Sequence, residues 1–526
     1  MRRTLVALAA ALALADGSIV VLALPDLAAS LDATVEGAAA VIAVYTGVLA
    51  LALPLAWAAR RRLDPAGLGA GGLVIFAAGS LGCALAGSLS TMLVMRGVQG
   101  AGGALAISTA AWMLRADLGG RTWGAIALAG AAAGPALGGA LTQAFDWHAI
   151  FVAQVPVAVL AAGACGWPGR ATAARTMTPA RSGMAVDIAL GLVSAALTAV
   201  LFLLVFVMIA GWSVEPLAAA AALTVLPLAG LASMRIPGGD SRSRAAMGAL
   251  LIAGGIAALA AMNTASLWWT VAPQAMAGAG MGLALPALAG AAGGAVRALT
   301  IRHVGITVAL ALLAPLIADR VEQSIQLTRE RQVAALLDAP MGPIDKLRLA
   351  PRLVKGVDAR DPRGALQREL ERSAPADPSK RAAYDRYAEQ VDATVVRGVD
   401  DAFRPIFWIT AALALLAALV LAPRPRPGLA YAGAAAVALP AVALLVALAV
   451  APSVPEIQDP CHHRTARAGS SLVERLAMEA LDRAACERGY SREQLVLNAA
   501  EQVQRVLDRR GIDAEGAAEL VEKLLD

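Results

Sequence analysis

Two ionisable residues stand where an apolar helix does not ordinarily carry them: Asp16 in ALALADGSIVVLALP and Arg96 in RGVQGAGGA. Intramembrane charges face a bundle interior, find partners and mark ion or proton paths. Asp16 lies about twelve residues into its apolar run, ~18 Å from the cytoplasmic surface at ~1.5 Å per residue. Arg96 lies about six residues into a run entered from the other side, hence ~21 Å above the same surface of a ~30 Å core. The depths agree and the charges are opposite, so the two are expected to pair. Arginine keeps its charge while a carboxylate can gain and lose a proton, which is the chemistry of a proton-coupled site. A static structural pair is the competing reading, because structural ion pairs also occupy such positions. Gln99, one turn from Arg96, is placed to hydrogen-bond the pair or a substrate. Asn263 and Gln274 are polar residues further along that either line a substrate cavity or hydrogen-bond neighbouring helices. Asp187 opens a span at its cytoplasmic edge, where a solvated acid is ordinary.

The elements that must position these residues are membrane-spanning helices. Of 526 residues 58% are hydrophobic and 16% charged, and the mean hydropathy is +0.66, well beyond the composition of a soluble domain. Fifty glycines supply small faces on which helices approach closely in lipid. The net charge of +5 does not signal nucleic acid, since the arginines are scattered through short loops with no basic tract and no interleaved aromatics. Neither is a nucleotide site visible, for G-x-x-x-x-G-K-[ST] is absent. Windows of about twenty residues place thirteen spans near 4–24, 38–59, 67–87, 91–114, 122–144, 148–167, 185–210, 215–234, 246–264, 268–291, 298–318, 405–422 and 428–450. The basic start and A-x-A before Asp16 also fit a cleavable signal peptide, but the apolar run continues to Leu24 and is long enough to span.

With the N-terminus in the cytoplasm, every short loop carrying arginine, from Arg2 and Arg3 through Arg60, Arg61 and Arg62 to Arg424 and Arg426, falls on the cytoplasmic face. The opposite loops hold Asp26, Asp32, Glu36, Asp146 and Glu215 instead. Two polar blocks, 319–403 and 451–526, are then extracytoplasmic. The first is expected to extend the eleventh helix outward and lead back into the twelfth. The second carries capping boxes at Ser471/Glu474 and Ser491/Gln494 before apolar-periodic runs, so short helices are expected there. In an oxidising space Cys461 and Cys486 are expected to form a disulfide, while Cys83 and Cys165 read as small core residues. CHHR at Cys461 matches no zinc spacing, and neither a metal nor another cofactor is expected.

Several stretches together resemble the major facilitator superfamily, especially its drug:proton antiporter branches. DGSIVVLALPDLAASL is similar to that family's first-helix motif, and RGVQGAGGA matches the fourth-helix pattern R-x-x-Q-G-x-G-x-A. GAAAGPALGG, with Gly130, Gly134, Pro135, Gly138 and Gly139, matches the fifth-helix antiporter motif G-x-x-x-G-P-x-x-G-G. Tyr45 and WHAIFVAQVP also fall where the family places similar residues, with His148 standing for the usual arginine. GWSVEPLAAAAALTVLP, GAGMGLALP and RHVGITVALALL resemble later helices more loosely. One departure is clear: Trp57, Arg61 and Asp64 occupy the positions of glycine, aspartate and glycine in the family's loop motif between the second and third helices.

The resemblance implies an all-α integral membrane protein with a twelve-helix core of two six-helix halves. The N-terminal half would be 1–168, a cytoplasmic linker 169–184, and the C-terminal half 185–422 with the insert at 319–403. An extra span at 428–450 would carry the tail 451–526 outside. It further implies a proton-coupled secondary transporter in the cell membrane, exporting a small, amphipathic or drug-like compound by alternating access, with Tyr45, Gln99, Asn263 and Gln274 as cavity candidates. The glycine motif implies export by exchange, through a close contact between helices of the two halves. The alternative is a transport-deficient sensor or scaffold, derived from a transporter, that binds a protein partner through its outer segments. An enzyme finds no nucleophile and base arrangement to support it.

Overall fold

Polar caps and prolines cut the apolar sequence into helices. Thr34 accepts from the Gly37 amide at 3.3 Å, Asp64 from Gly67 at 2.8 Å, and Asp240 from Ser243 at 3.2 Å, each satisfying a donor that a helix start leaves open. Pro65 and Pro216 sit in first turns, where a missing N–H costs nothing. The computed structural model describes residues 2–113, 121–166, 183–236, 239–262, 264–339, 362–422, 459–462 and 472–509, together with Met341, Lys346 and Ile457.

In chain order the helices are α1 (Arg2–Val21), α2 (Leu24–Ser30), α3 (Val35–Ala59), α4 (Pro65–Ala84), α5 (Leu89–Met113), α6 (Arg121–Ala144) and α7 (Trp147–Gly166). There follow α8 (Met184–Val205), continued by a π-helical turn Phe206–Gly211, then α9 (Pro216–Ser233), α10 (Ser241–Ala260), α11 (Leu267–Ala291) and α12 (Ala295–Asp338). The described residues end with α13 (Pro362–Arg372), α14 (Pro378–Leu421), α15 (Leu472–Arg488) and α16 (Arg492–Arg509). No strand occurs among the described residues. Among the described residues nine helices are long and apolar enough to cross a membrane, ten with the α1–α2 pair, which bends by 65°. The protein is a multi-pass membrane protein. α5 falls outside that set because it carries Arg96, Gln99, Ser108 and Thr109, all of which it buries against other helices. The expected thirteenth span at 428–450, most of the 169–184 linker and Asn263 lie outside the described residues.

The chain divides into two compact units, the first made of Met1–Ile209, Val214–Asp319 and Phe403–Ala449. Within it, α1, α3, α4, α5 and α7 share a core that includes Val6, Leu14, Leu49, Leu53, Phe76 and Ile107, with α4 packed on α5 and α7, and α1 on α5, α7 and α6. Leu299 of α12 joins the same core. α10 and α11 pack through glycines: a side chain at Gly248 would meet the Ala284 amide at 2.7 Å, and one at Gly255 the Pro273 carbonyl at 2.6 Å. Arg242 donates through Nε to the Leu421 carbonyl at 2.8 Å and so closes the last turn of α14.

The second unit comprises Ala210–Ser213, Arg320–Ala402 and Val450–Asp526. Its core gathers Ala335, Leu336, Leu366, Leu370, Tyr384, Tyr387, Val391 and Val395 from α12, α13 and α14. Arg363 holds Asp392 with two parallel bonds of 2.8 and 2.7 Å. Cys461 and Cys486 are joined in a disulfide, and Ser491 caps α16 by accepting from the Gln494 amide at 3.0 Å. Ser471 lies outside the described residues.

Candidate functional site

Asp16 and Arg96 meet inside the first unit, with Arg96 Nη1 at 2.6 Å from Asp16 Oδ2 and both side chains fully buried. Three helices hold the arginine in place. Its Nε donates to the Val41 carbonyl of α3 at 2.9 Å, its Nη1 donates to Gln99 Oε1 one turn along α5, and its guanidinium lies 4.4 Å from the ring centre of Tyr45 and 5.8 Å from that of Phe151 on α7. Tyr45 in turn donates its hydroxyl to the Ala13 carbonyl of α1 at 2.7 Å, three residues before the acid. A charge removed from water at this depth is tolerated because each partner is itself positioned by packing.

The other carboxylate oxygen carries a second set of bonds. Asp16 Oδ1 accepts from Gln154 Nε2 of α7 at 3.0 Å and from Gln99 Nε2 at 3.3 Å. Gln99 Nε2 also faces Gln154 Oε1 at 2.7 Å and Ser80 Oγ of α4 at 2.9 Å, and Ser80 donates to the Phe76 carbonyl at 2.9 Å. Four helices therefore contribute to one buried polar network, and Cys83 Sγ lies 3.9 Å from Gln99 Oε1 at its margin. Gln154 and Ser80 were not singled out by the sequence reading. Their signal was there: after His148, Gln154 is the one strongly polar side chain in the span 148–167, and an amide in lipid must find a partner.

The remaining cavity candidates are placed differently. Tyr45, Gln99 and Gln274 are 1%, 0% and 0% exposed, so in this conformation they are core residues. Gln274 donates to Thr270 Oγ1 at 2.9 Å, while its Oε1 is buried with no hydrogen-bond partner among the described residues. Asp187 is ion-paired with Arg297 at the start of α12. Asp64 caps α4, and Arg60 stacks over the Trp57 ring at 3.5 Å, so the altered loop has its own local contacts.

The glycine motif on α6 divides between two neighbours. A Cβ at Gly130 would sit 2.9 Å from the Ala11 carbonyl, and side chains at Gly134 and Gly138 would collide with Ser18 and the Ile19 carbonyl, all on α1. Gly139 alone of the four faces α9, where a Cβ would lie 2.8 Å from the Pro216 carbonyl. The motif thus serves first to seat α1 within its own half. The contact of α6 with the other half includes Gly139 and Gln143, whose Oε1 accepts from the Leu217 amide at 2.8 Å. Thr46 of α3 and Thr307 of α12 form a further cross-half pair, Oγ1 to Oγ1 at 2.9 Å.

Sequence and structure comparisons agree with this architecture. "Putative multidrug resistance protein MdtD" from Escherichia coli (strain K12 / DH10B) and from Shigella boydii serotype 18 are each 32% identical over 161 residues, covering 28% of this chain and 33% of theirs. The chain thus spans about a third of the length of these relatives. A bacterial homologue of the human lysosomal transporter Spinster, inward-facing and occupied, superimposes with a TM-score of 0.52 at 15% identity, over 80% of this chain and 96% of that one. Its inward-facing, unoccupied form gives 0.50 at 14% identity, over 80% and 97%. These two likenesses concern the fold. The model of the Major Facilitator Superfamily matches residues 6–318, more than half of the sequence, and the chain belongs to that family.

Proposed function

We propose that the chain is a proton-coupled secondary transporter of the cell membrane that exports a small amphipathic or drug-like compound by alternating access. The observation that carries this is the fully buried Asp16–Arg96 pair at 2.6 Å, where a titratable group and a permanent cation share one network. The multidrug resistance names of the relatives support the substrate class. The halves 1–168 and 185–422 would rock about the contacts at Gly139 and at the Thr46–Thr307 pair. The N-terminus would be cytoplasmic and the tail 451–526 extracytoplasmic, a placement supported by the arginine pattern and by the Cys461–Cys486 disulfide.

Proteoliposomes test this reading. With an imposed pH gradient and a panel of amphipathic compounds, export should run with counterflow of protons and collapse when a protonophore dissipates the gradient. Transport indifferent to the gradient would overturn proton coupling. A second reading, a transport-deficient scaffold binding an extracytoplasmic protein, is favoured by the loop motif replaced at Trp57, Arg61 and Asp64. It predicts no flux with any compound.

A further inference from the structure

α12 carries a charge inside the bundle that the network around Asp16 does not use. Arg302 stands five residues past Arg297, about 7.5 Å further into the span, while Arg297 itself pairs with Asp187 where α12 and α8 begin. An arginine at such depth keeps its charge and ordinarily finds a partner. Arg96 has Asp16 and Arg297 has Asp187. Among the described residues no carboxylate and no hydrogen-bond acceptor meets the guanidinium of Arg302.

The turns of α12 fix which way this residue points. Leu299, His303 and Thr307, four residues apart, face α3 and its neighbours. Leu299 joins their core, Thr307 meets Thr46, and His303, 3% exposed, donates Nδ1–H to the Leu299 carbonyl at 2.7 Å. Ile301 and Gly305 face α8, where a side chain at Gly305 would collide with the Gly191 carbonyl. Val304, Val308 and Leu312 form the lipid-side stripe, 46%, 50% and 65% exposed. At about 100° per residue, Arg302 falls between the first two faces and opposite the third. Its neighbours on that side, Ala298, Ile306 and Ala309, are all buried. An arginine that snorkels to the headgroups runs along the lipid side, and this one is turned away from it. Arg302 nevertheless keeps part of its surface accessible where these apolar neighbours keep almost none, so it borders an interior space.

A lone guanidinium among apolar side chains repels a cationic guest and offers a neutral one little. An acidic group on an apolar body suits both parts of the site, since the planar fork can hold it with two parallel hydrogen bonds while the body leaves water. We propose that Arg302 is the anion-binding residue of the interior cavity, and that the exported compound is an amphipathic anion, a carboxylate, sulfonate or phosphate on an apolar body. This rests on the transport reading above and names its substrate class. Thr307, five residues or about 7.5 Å along the same helix, makes the cross-half pair with Thr46, so the acidic group sits close to a contact about which the halves are proposed to rock.

Two dyes that share one apolar body test this: uncharged N-phenylnaphthylamine, and anilinonaphthalene sulfonate, the same body with one negative charge. Their binding to the full-length chain in phosphatidylcholine nanodiscs is read against empty discs. The sulfonate should bind saturably to the wild type, about tenfold or more weakly to Arg302→Gln, and with partial recovery to Arg302→Lys. The uncharged amine should bind all three alike. Because Arg302→Gln removes an unpaired cation, its melting temperature should not fall. Equal sulfonate affinity in the wild type and folded Arg302→Gln overturns the proposal, and so does a parallel loss of both dyes. Phosphatidylglycerol in the disc or inorganic phosphate in the medium should not displace the sulfonate. Displacement by either assigns Arg302 to a lipid headgroup or a free anion and overturns the substrate class. Should Arg302→Gln not fold, the wild type decides alone: the sulfonate, and not the amine, should protect Arg302 from phenylglyoxal, read by peptide mass spectrometry, and equal labelling overturns the proposal. Neither readout needs a gradient, so proteoliposomes keep the two readings apart. Sulfonate that binds through Arg302 but is not driven by a pH gradient overturns proton-coupled export and leaves the anion site, whereas driven export of the amine alone does the reverse.

Discussion

Asp16→Asn removes one charge from a site that holds two, and the geometry fixes what remains. Arg96 keeps the Val41 carbonyl at 2.9 Å, the Gln99 carbonyl oxygen and the face of Tyr45 at 4.4 Å, but loses its counter-ion at 2.6 Å. Breaking a buried pair from one side costs about 3–5 kcal/mol. The three retained contacts, two carbonyl dipoles and an aromatic face that all turn negative charge to the cation, place this case near the lower end, about 3 kcal/mol, or roughly a hundredfold in the folding equilibrium. The assay has two channels: the melting temperature of the purified chain in detergent, and proton-driven export from proteoliposomes. Asp16→Asn should lower the first and abolish the second, while substrate binding without a gradient survives. Adding Arg96→Gln removes the stranded cation and should recover most of the lost stability without recovering coupled export. Full proton-coupled export in the double variant would refute the assignment of the proton to Asp16.

The other contacts give simpler tests. Cys461 and Cys486 are 25 residues apart, so replacing both with serine should destabilise the second unit by about 3.5 kcal/mol, read by denaturation with and without reductant; equal curves would remove its structural role. Cysteines in place of Thr46 and Thr307, whose hydroxyls are 2.9 Å apart, should cross-link on oxidation and arrest transport until reduced. Unimpaired transport by the cross-linked chain would show that the halves need not separate there. Gly138→Val would push a branched side chain into the Ile19 carbonyl and should cost about 1–3 kcal/mol of stability, seen as a lower melting temperature, because α1 has no room to yield without releasing Asp16 from its partners.

How far the sequence could be read follows from what each signal encodes. Span positions were legible because lipid demands a run of apolar residues of fixed length, and the helix bounds at α3, α4, α9 and α11 follow that rule, with Thr34 and Asp64 capping the first two. Depth alone brought Asp16 and Arg96 to one level, which their 2.6 Å contact requires. Depth does not give rotation about the helix axis, and for that reason it does not single out Gln154 and Ser80, nor choose between a cavity wall and a hydrogen-bonded core position for Tyr45, Gln99 and Gln274. The same limit governs the glycine motif: its spacing of four marks a groove on α6, but only the packed helices show that three glycines receive α1 and one receives α9. The bend of 65° between α1 and α2 falls where the apolar run ends, beside Pro25 and Asp26, and the run's length alone does not give its angle.

That division of the glycine motif bears directly on how a proton at Asp16 can reach the rest of the fold. α1 is clamped on one side by Gly130, Gly134 and Gly138 and tied on the other through Asp16 to α4, α5 and α7, so it has little freedom to slide. Neutralising Asp16 weakens the second of these restraints and leaves the first. α6 and α1 then move as one body, and the next surface along α6 is Gly139 with Gln143 against the start of α9, in the other half. A charge change that is local to one bundle is thereby aimed at the seam between bundles, through a helix pair too closely packed to absorb it. On this account Gly138→Val and a change at Gln143 should uncouple proton uptake from transport in different ways. The first disturbs Asp16 itself and shifts the C=O band of its protonated carboxyl in infrared difference spectra. Replacing Gln143 with alanine leaves the band in place and slows export, and a Gln143 variant that shifted the band would show that the seam and the proton site are not mechanically separate.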